Sequence, residues 1–291
     1  MEVRKIRRVD DDMRCELLIA MRNGTGNDLV HFGRLNLLAP SSRQSLVRSL
    51  RERIDYLPWA DMLEHMVFLV VKQERIGEPA VDLSEVEEPS DLGWYILKWI
   101  LEDKPTTLFG MGGTGKTWLA LLLGLCLITG KPFLGWPVRQ QARVLFLDWE
   151  NDQRTTRSRL GKVARGLNVG LPSYWYRRLD YPVADNEEML ARDIDKYGIN
   201  VVILDSFSAA SGGSQNKDEV IMPVYACLRR LGVATLLVDH EAKVSTGEYA
   251  IGHSTKHNQA RITWHMKSTK EIDDAGQGYM LLTNRKQNED A

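Results

Sequence analysis

The chain has 291 residues, a formal charge of -1 and 43% hydrophobic residues, enough for one sizeable α/β domain plus a smaller companion without covalent staples. This balance excludes a globally basic nucleic-acid binder, so any such surface must be local. Three cysteines, Cys15, Cys126 and Cys227, lie far apart without CxxC spacing, which argues against a disulfide framework or a zinc site. With a charged start and no long apolar run, a cytoplasmic protein with no membrane partner is expected.

Two apolar-rich stretches, residues 15–21 and 29–38, flank a turn-rich joint at 23–28, a pattern that predicts a hairpin. Ser41 and Ser42 then precede Leu46, Val47, Leu50 and Ile54 at helical spacing, and a second amphipathic stretch covers 59–73. Residues 1–76 therefore read as a small N-terminal α/β module. Over 77–91, prolines and the acids Glu78, Asp82, Glu85, Glu87, Glu88 and Asp91 suit an acidic linker, which places a second domain at 92–291. There, β-type runs at 106–109, 143–148, 201–205, 234–239, 261–265 and 279–283 alternate with helical ones. The alternation predicts an α/β fold with a mostly parallel sheet flanked by helices, its ligands at the carboxyl ends of the strands.

Gly110-Met111-Gly112-Gly113-Thr114-Gly115-Lys116-Thr117 satisfies G-x-x-x-x-G-K-[ST] between a short apolar strand and the helical run 118–129. In that setting the glycines let backbone N–H groups turn in around phosphate, and the helix presents the positive end of its dipole to the same anion. Lys116 supplies a charge that can follow the β- and γ-phosphates of ATP, and the Thr117 hydroxyl is placed to ligate Mg²⁺. Trp118 is grouped with the nucleotide-contacting residues by position, although no tryptophan is assigned to the adenine. Val201-Val-Ile-Leu-Asp205 is a buried strand ending in a carboxylate that would hold Mg²⁺ through its water shell. A strand of this kind is common alone and takes its meaning from the phosphate loop upstream.

Ser206 and Phe207 follow Asp205, so a base for hydrolysis has to come from elsewhere. The strand at 143–148 ends in Trp149-Glu150-Asn151-Asp152, and its carboxyl end can open toward the γ-phosphate. Glu150 is the candidate for orienting the attacking water, with Asp148 and Asp152 as rivals if the register differs.

Phe146-Leu-Asp-Trp-Glu150 resembles the strand of RecA/DnaB-superfamily ATPases that ends in their catalytic glutamate. Within that superfamily the chain resembles the plasmid RepA-type hexameric helicases, over about residues 92–286; residues 129–135 and Val238-Asp239-His240 add to the likeness. The resemblance implies a RecA-like P-loop NTPase fold using ATP and Mg²⁺, with nucleotide between the subunits of a homo-oligomeric ring, expected as a hexamer. It implies His240 as a polar sensor of the γ-phosphate. It implies Arg261 as the finger that reaches a neighbour's site, with Lys256 and Lys286 as alternatives.

Single-stranded DNA is the implied partner. Residues 208–217 and the loop around Lys243 and Gly247 are candidate pore segments, or plain surface loops, and 242–256 reads as a mobile loop. Arg154, Arg157, Arg159, Lys162 and Arg165 are most simply a solvated helix face. The N-terminal module is a candidate dock for a primase, a loader or a neighbouring subunit, or it packs beside the motor. The expected function is a RepA/DnaB-like replicative helicase. A RecA-like recombination or repair ATPase, and a nucleotide-gated loading or regulatory module with little turnover, are the alternatives.

Overall fold

The alternating runs of the second domain form a seven-stranded sheet in the computed structural model, which describes residues 1–9, 12–23, 26–76, 79–88, 93–214, 217–241, 254–270 and 278–288. Contacts divide the chain into two units, Met1–Glu88 and Pro89–Ala291.

In the first unit, strands β1 (Glu2–Val9), β2 (Asp12–Asn23) and β3 (Gly26–Asn36) form an antiparallel sheet, followed by helices α1 (Pro40–Arg53) and α2 (Trp59–Ile76). Alternate residues of β2, Met13, Cys15, Leu17 and Ile19, share a core with Leu46 and Leu50 of α1 and Trp59, Leu63 and Val67 of α2. The period of two on the strand and of four on the helices is what one-sided burial requires. Strand β1 was not anticipated: its charges mask Val3 and Ile6, which pack against that core.

The second unit opens with a hairpin of β4 (Trp94–Ile96) and β5 (Ile100–Leu101). Then follow β6 (Pro105–Gly110), α3 (Lys116–Thr129), β7 (Val144–Asp148), α4 (Gln153–Gly166), β8 (Trp175–Arg178), α5 (Glu187–Tyr197) and β9 (Val201–Asp205). The chain continues through α6 (Phe207–Ser211), α7 (Asp218–Leu231), β10 (Ala234–His240), α8 (Ser254–Gln259), β11 (Ile262–Lys270) and β12 (Tyr279–Gln287). Sheet order is β12-β11-β6-β10-β9-β7-β8, parallel throughout except for the edge strand β12.

Strands β7 and β9 are buried at every residue, which is why they read as unbroken apolar strings. Leu121 and Leu123 of α3 and Leu160 of α4 join one core; Leu190 of α5 and Ile221, Val224 and Leu228 of α7 join the other. This is the α/β architecture, a mostly parallel sheet flanked by helices, expected from the sequence.

Register sets the strand ends in a row. Asp148 pairs with Asp205, Asp205 with Val238, and His240 with Gly110, so the residues following these positions share one rim of the sheet. On the helical side, Gly124 lies inside α3, where a Cβ would collide with the Tyr174 hydroxyl and stand 3.0 Å from Ile203 Cδ1. Gly124→Ala, worth about 1 kcal/mol of stabilisation in an exposed helix, is expected instead to lower the melting temperature. A rise in the melting temperature would show that α3 and Tyr174 are not in contact.

Candidate nucleotide site

Between β6 and α3 the backbone at Gly113 and Gly115 takes φ of 77° and 90°, left-handed values that glycine adopts without steric cost. A Cβ at Gly112 or Gly113 would meet nothing within 4 Å. The loop is thus an open turn leading into a helix N-terminus, whose N–H groups suit an anion. Gly110 is constrained differently: a Cβ there would strike the Met266 carbonyl of β11. Thr114 braces the turn, its hydroxyl donating to the Met111 carbonyl at 2.9 Å.

Lys116 is 5% exposed and donates from Nζ to the carbonyls of Gly110 at 2.9 Å and Met111 at 2.7 Å. Burial pushes its ammonium below the ordinary lysine range, opposed by the carboxylates of Asp205, Asp239, Glu150 and Glu241. Trp118 faces α4, with the Arg159 and Lys162 cations each 5.9 Å from its ring centroid.

The Thr117 hydroxyl donates to Asp205 Oδ2 at 2.7 Å. Asp205 is buried, and burial pushes its carboxyl up to about 6 despite that hydrogen bond and the Lys116 charge. The Asp205–Ser206 peptide bond is cis. Two hard oxygen donors at the edge of an anion cradle suit Mg²⁺. Among the described residues no group of three His, Cys, Asp or Glu could hold a metal alone, so such an ion would be held jointly with phosphate oxygens.

Asp148 and Asp152, the rivals of Glu150, are engaged in shaping its turn. Asp148 Oδ1 accepts the N–H groups of Glu150 at 3.0 Å and Asn151 at 2.8 Å, and Oδ2 accepts the Thr156 hydroxyl at 2.7 Å. Asp152 caps α4, accepting the Thr155 N–H at 2.7 Å. Glu150 instead turns toward the ends of β9 and β10: its Oε1 accepts the Ser206 hydroxyl at 2.6 Å and lies 3.4 Å from His240 Nε2. The His240 contact, the Ser206 hydroxyl and the Lys116 charge hold its carboxyl down at about 2, against the effect of burial.

Ser206 and Asp239 were not singled out from the sequence. A signal for Ser206 exists in hindsight: once Asp148 and Asp205 are in register, the residues just beyond them must meet. The expected cations lie elsewhere. Arg261 is exposed at the opposite end of the sheet, its N–H donating at 3.0 Å to the carbonyl of Pro105, the first residue of β6. Lys256 is buried on α8, not on a mobile loop, and is ion-paired with Asp239 at 2.7 Å. Lys286 Nζ is held by the carbonyls of His257 and Ala260, at 2.6 and 2.7 Å. Residues 208–211 of the first candidate pore segment belong to α6, while 215–216 and 242–253, with Lys243 and Gly247, lie outside the described residues.

No curated protein matches the sequence. Among solved structures the chain is similar to a KaiC-like protein from the hyperthermophilic archaeon Pyrococcus horikoshii OT3, at 17% identity and a TM-score of 0.47, over 67% of this chain and 84% of that one. The AAA domain family model matches residues 72–246. That span exceeds half of the chain and takes in the phosphate loop together with Glu150, Asp205 and His240, so the protein belongs to the AAA domain family.

Proposed function

We propose that the protein is an ATP-hydrolysing motor of the RepA/DnaB type that works as a ring on single-stranded DNA. The observation that carries the hydrolysis is the convergence, at the carboxyl ends of neighbouring strands, of buried Lys116, the Thr117–Asp205 pair and the Glu150–Ser206–His240 contacts. The backbone amides of 112–115 cradle the triphosphate, and Lys116 exchanges two loop carbonyls for phosphate oxygens, which as anions are the stronger acceptors. Mg²⁺ held by Thr117 and Asp205 would neutralise charge developing on the phosphates. Glu150, ionised at neutral pH, orients the attacking water and accepts its proton. His240, in contact with Glu150, is suited to sense the γ-phosphate.

The DNA motor rests on the RepA-type likeness. Arg261 stands at the far end of its own sheet, so as a finger it serves only a neighbouring subunit's nucleotide. The unit before Pro89 is the candidate dock for a primase or loader.

Lys116→Ala is expected to abolish ATP binding. Glu150→Gln is expected to bind ATP normally but lower kcat by at least ~100-fold in phosphate-release assays. Single-stranded DNA should stimulate the wild type, and duplex separation should require ATP. Normal turnover in Glu150→Gln removes Glu150 as the base, and turnover indifferent to DNA without strand separation removes the helicase.

The lowered Glu150 carboxyl also predicts a pH dependence. Its folded-state value of about 2 lies below the ordinary 4.5, so the stability that its ionised form contributes is complete above the ordinary value. That contribution is lost as pH falls through the window between the two. The stability difference between wild type and Glu150→Gln in urea unfolding should be constant from neutral pH to about 5 and shift against the wild type below it. A difference that does not change on acidification would contradict the contacts assigned to Glu150.

A further inference from the structure

Asp239 and Lys256 form an ion pair of 2.7 Å with side chains only 1% and 4% exposed. Burial pushes the Asp239 carboxyl up and the Lys256 ammonium down, each restrained by the other's charge. Apolar side chains of similar volume commonly hold a fold equally well, so the pair asks for a reason beyond packing.

Its surroundings supply one. Strand β9 stops pairing with β10 at Val238, opposite Asp205. Beyond that point the Glu241 N–H donates to the Gly110 carbonyl on the β6 side at 3.0 Å, so by strand alternation the His240 N–H faces the side where β9 has ended. Asp239 Oδ1 accepts that N–H at 2.8 Å, and Oδ2 accepts Lys256 Nζ. The Lys256 ammonium also lies 4.2 Å from the centroid of Phe207, just past Asp205, while the Lys256 carbonyl accepts the Tyr225 hydroxyl at 3.3 Å.

We propose that Asp239 and Lys256 are positioning residues for ATP hydrolysis: the carboxylate replaces the missing strand partner of His240, Lys256 locks that carboxylate, and the imidazole is thereby fixed against Glu150. Lys256 therefore works inside its own subunit. The inference rests on the ATPase reading above and adds two residues that act through His240.

The test compares wild type with two double variants in which no charge is left buried alone. Asp239→Leu/Lys256→Met removes both the pair and the acceptor for the His240 N–H. Asp239→Asn/Lys256→Met removes the pair but keeps an amide oxygen as acceptor. The first is expected to keep the wild-type Kd for a fluorescent ATP analogue and lose at least ~10-fold in kcat. The second is expected to recover most of that loss. Wild-type kcat in the Leu/Met variant, no recovery in the Asn/Met variant, or a Leu/Met variant that does not fold would each overturn the proposal, the last by showing the pair to be structural. Absence of turnover in the wild type would overturn the ATPase reading and this inference together, whereas turnover in the wild type and undiminished turnover in the Leu/Met variant would sink the inference alone.

Discussion

Parallel pairing of β6, β10, β9 and β7 fixes the positions of the other parts of the site. Because Asp148, Asp205 and Val238 stand in one line of register, with His240 opposite Gly110, four segments far apart in the chain emerge at a common rim. Side chains from successive strand ends then need only single-residue reach to touch. Ser206 meets Glu150 because each lies just beyond a paired aspartate, and His240 meets Glu150 from across β9. A slip of one residue in β7 would put Trp149 or Asn151 where Glu150 stands.

The four carboxylates whose charge acts on Lys116 fall into two kinds. Asp239 and Glu241 are held internally, Asp239 ion-paired with Lys256 at 2.7 Å and Glu241 in contact with His265 Nε2 at 3.0 Å, and His265 stacks on Phe109 with ring centroids 4.6 Å apart. Asp205 and Glu150 instead accept hydrogen bonds from hydroxyls, Thr117 and Ser206, with His240 as a further contact of Glu150. A cation or a water can displace a hydroxyl far more readily than it can a buried ammonium. The two acids assigned to Mg²⁺ and to the lytic water are thus the two whose partners can be exchanged.

What could be read from the sequence was whatever is encoded locally. The phosphate loop announces itself because consecutive glycines and a lysine serve one turn. Strands buried on both faces show as apolar runs whose ends are legible: Asp205 closes one such run, and Glu150 stands two residues beyond the end of another. Contacts that depend on register between distant strands, such as Ser206 with Glu150, leave no such mark. Lys256 follows a polar stretch and resembles a surface charge, yet it is buried because Asp239, far away in sequence, is there to pair with it. The serine-rich start of 208–217 reads as an open loop, but Phe207 anchors it as a helical turn against Tyr225, with ring centroids 5.7 Å apart. Strand β8 is too short, and too rich in arginine, for alternation to reveal it.

Soaking or co-crystallising the protein with Mg²⁺ and a non-hydrolysable ATP analogue addresses the central claim most directly. The account predicts a γ-phosphate between Lys116 Nζ and the Glu150 carboxylate, with Lys116 released from the carbonyls of Gly110 and Met111. A triphosphate bound elsewhere, or Lys116 still held by those carbonyls while Glu150 points away, would contradict it.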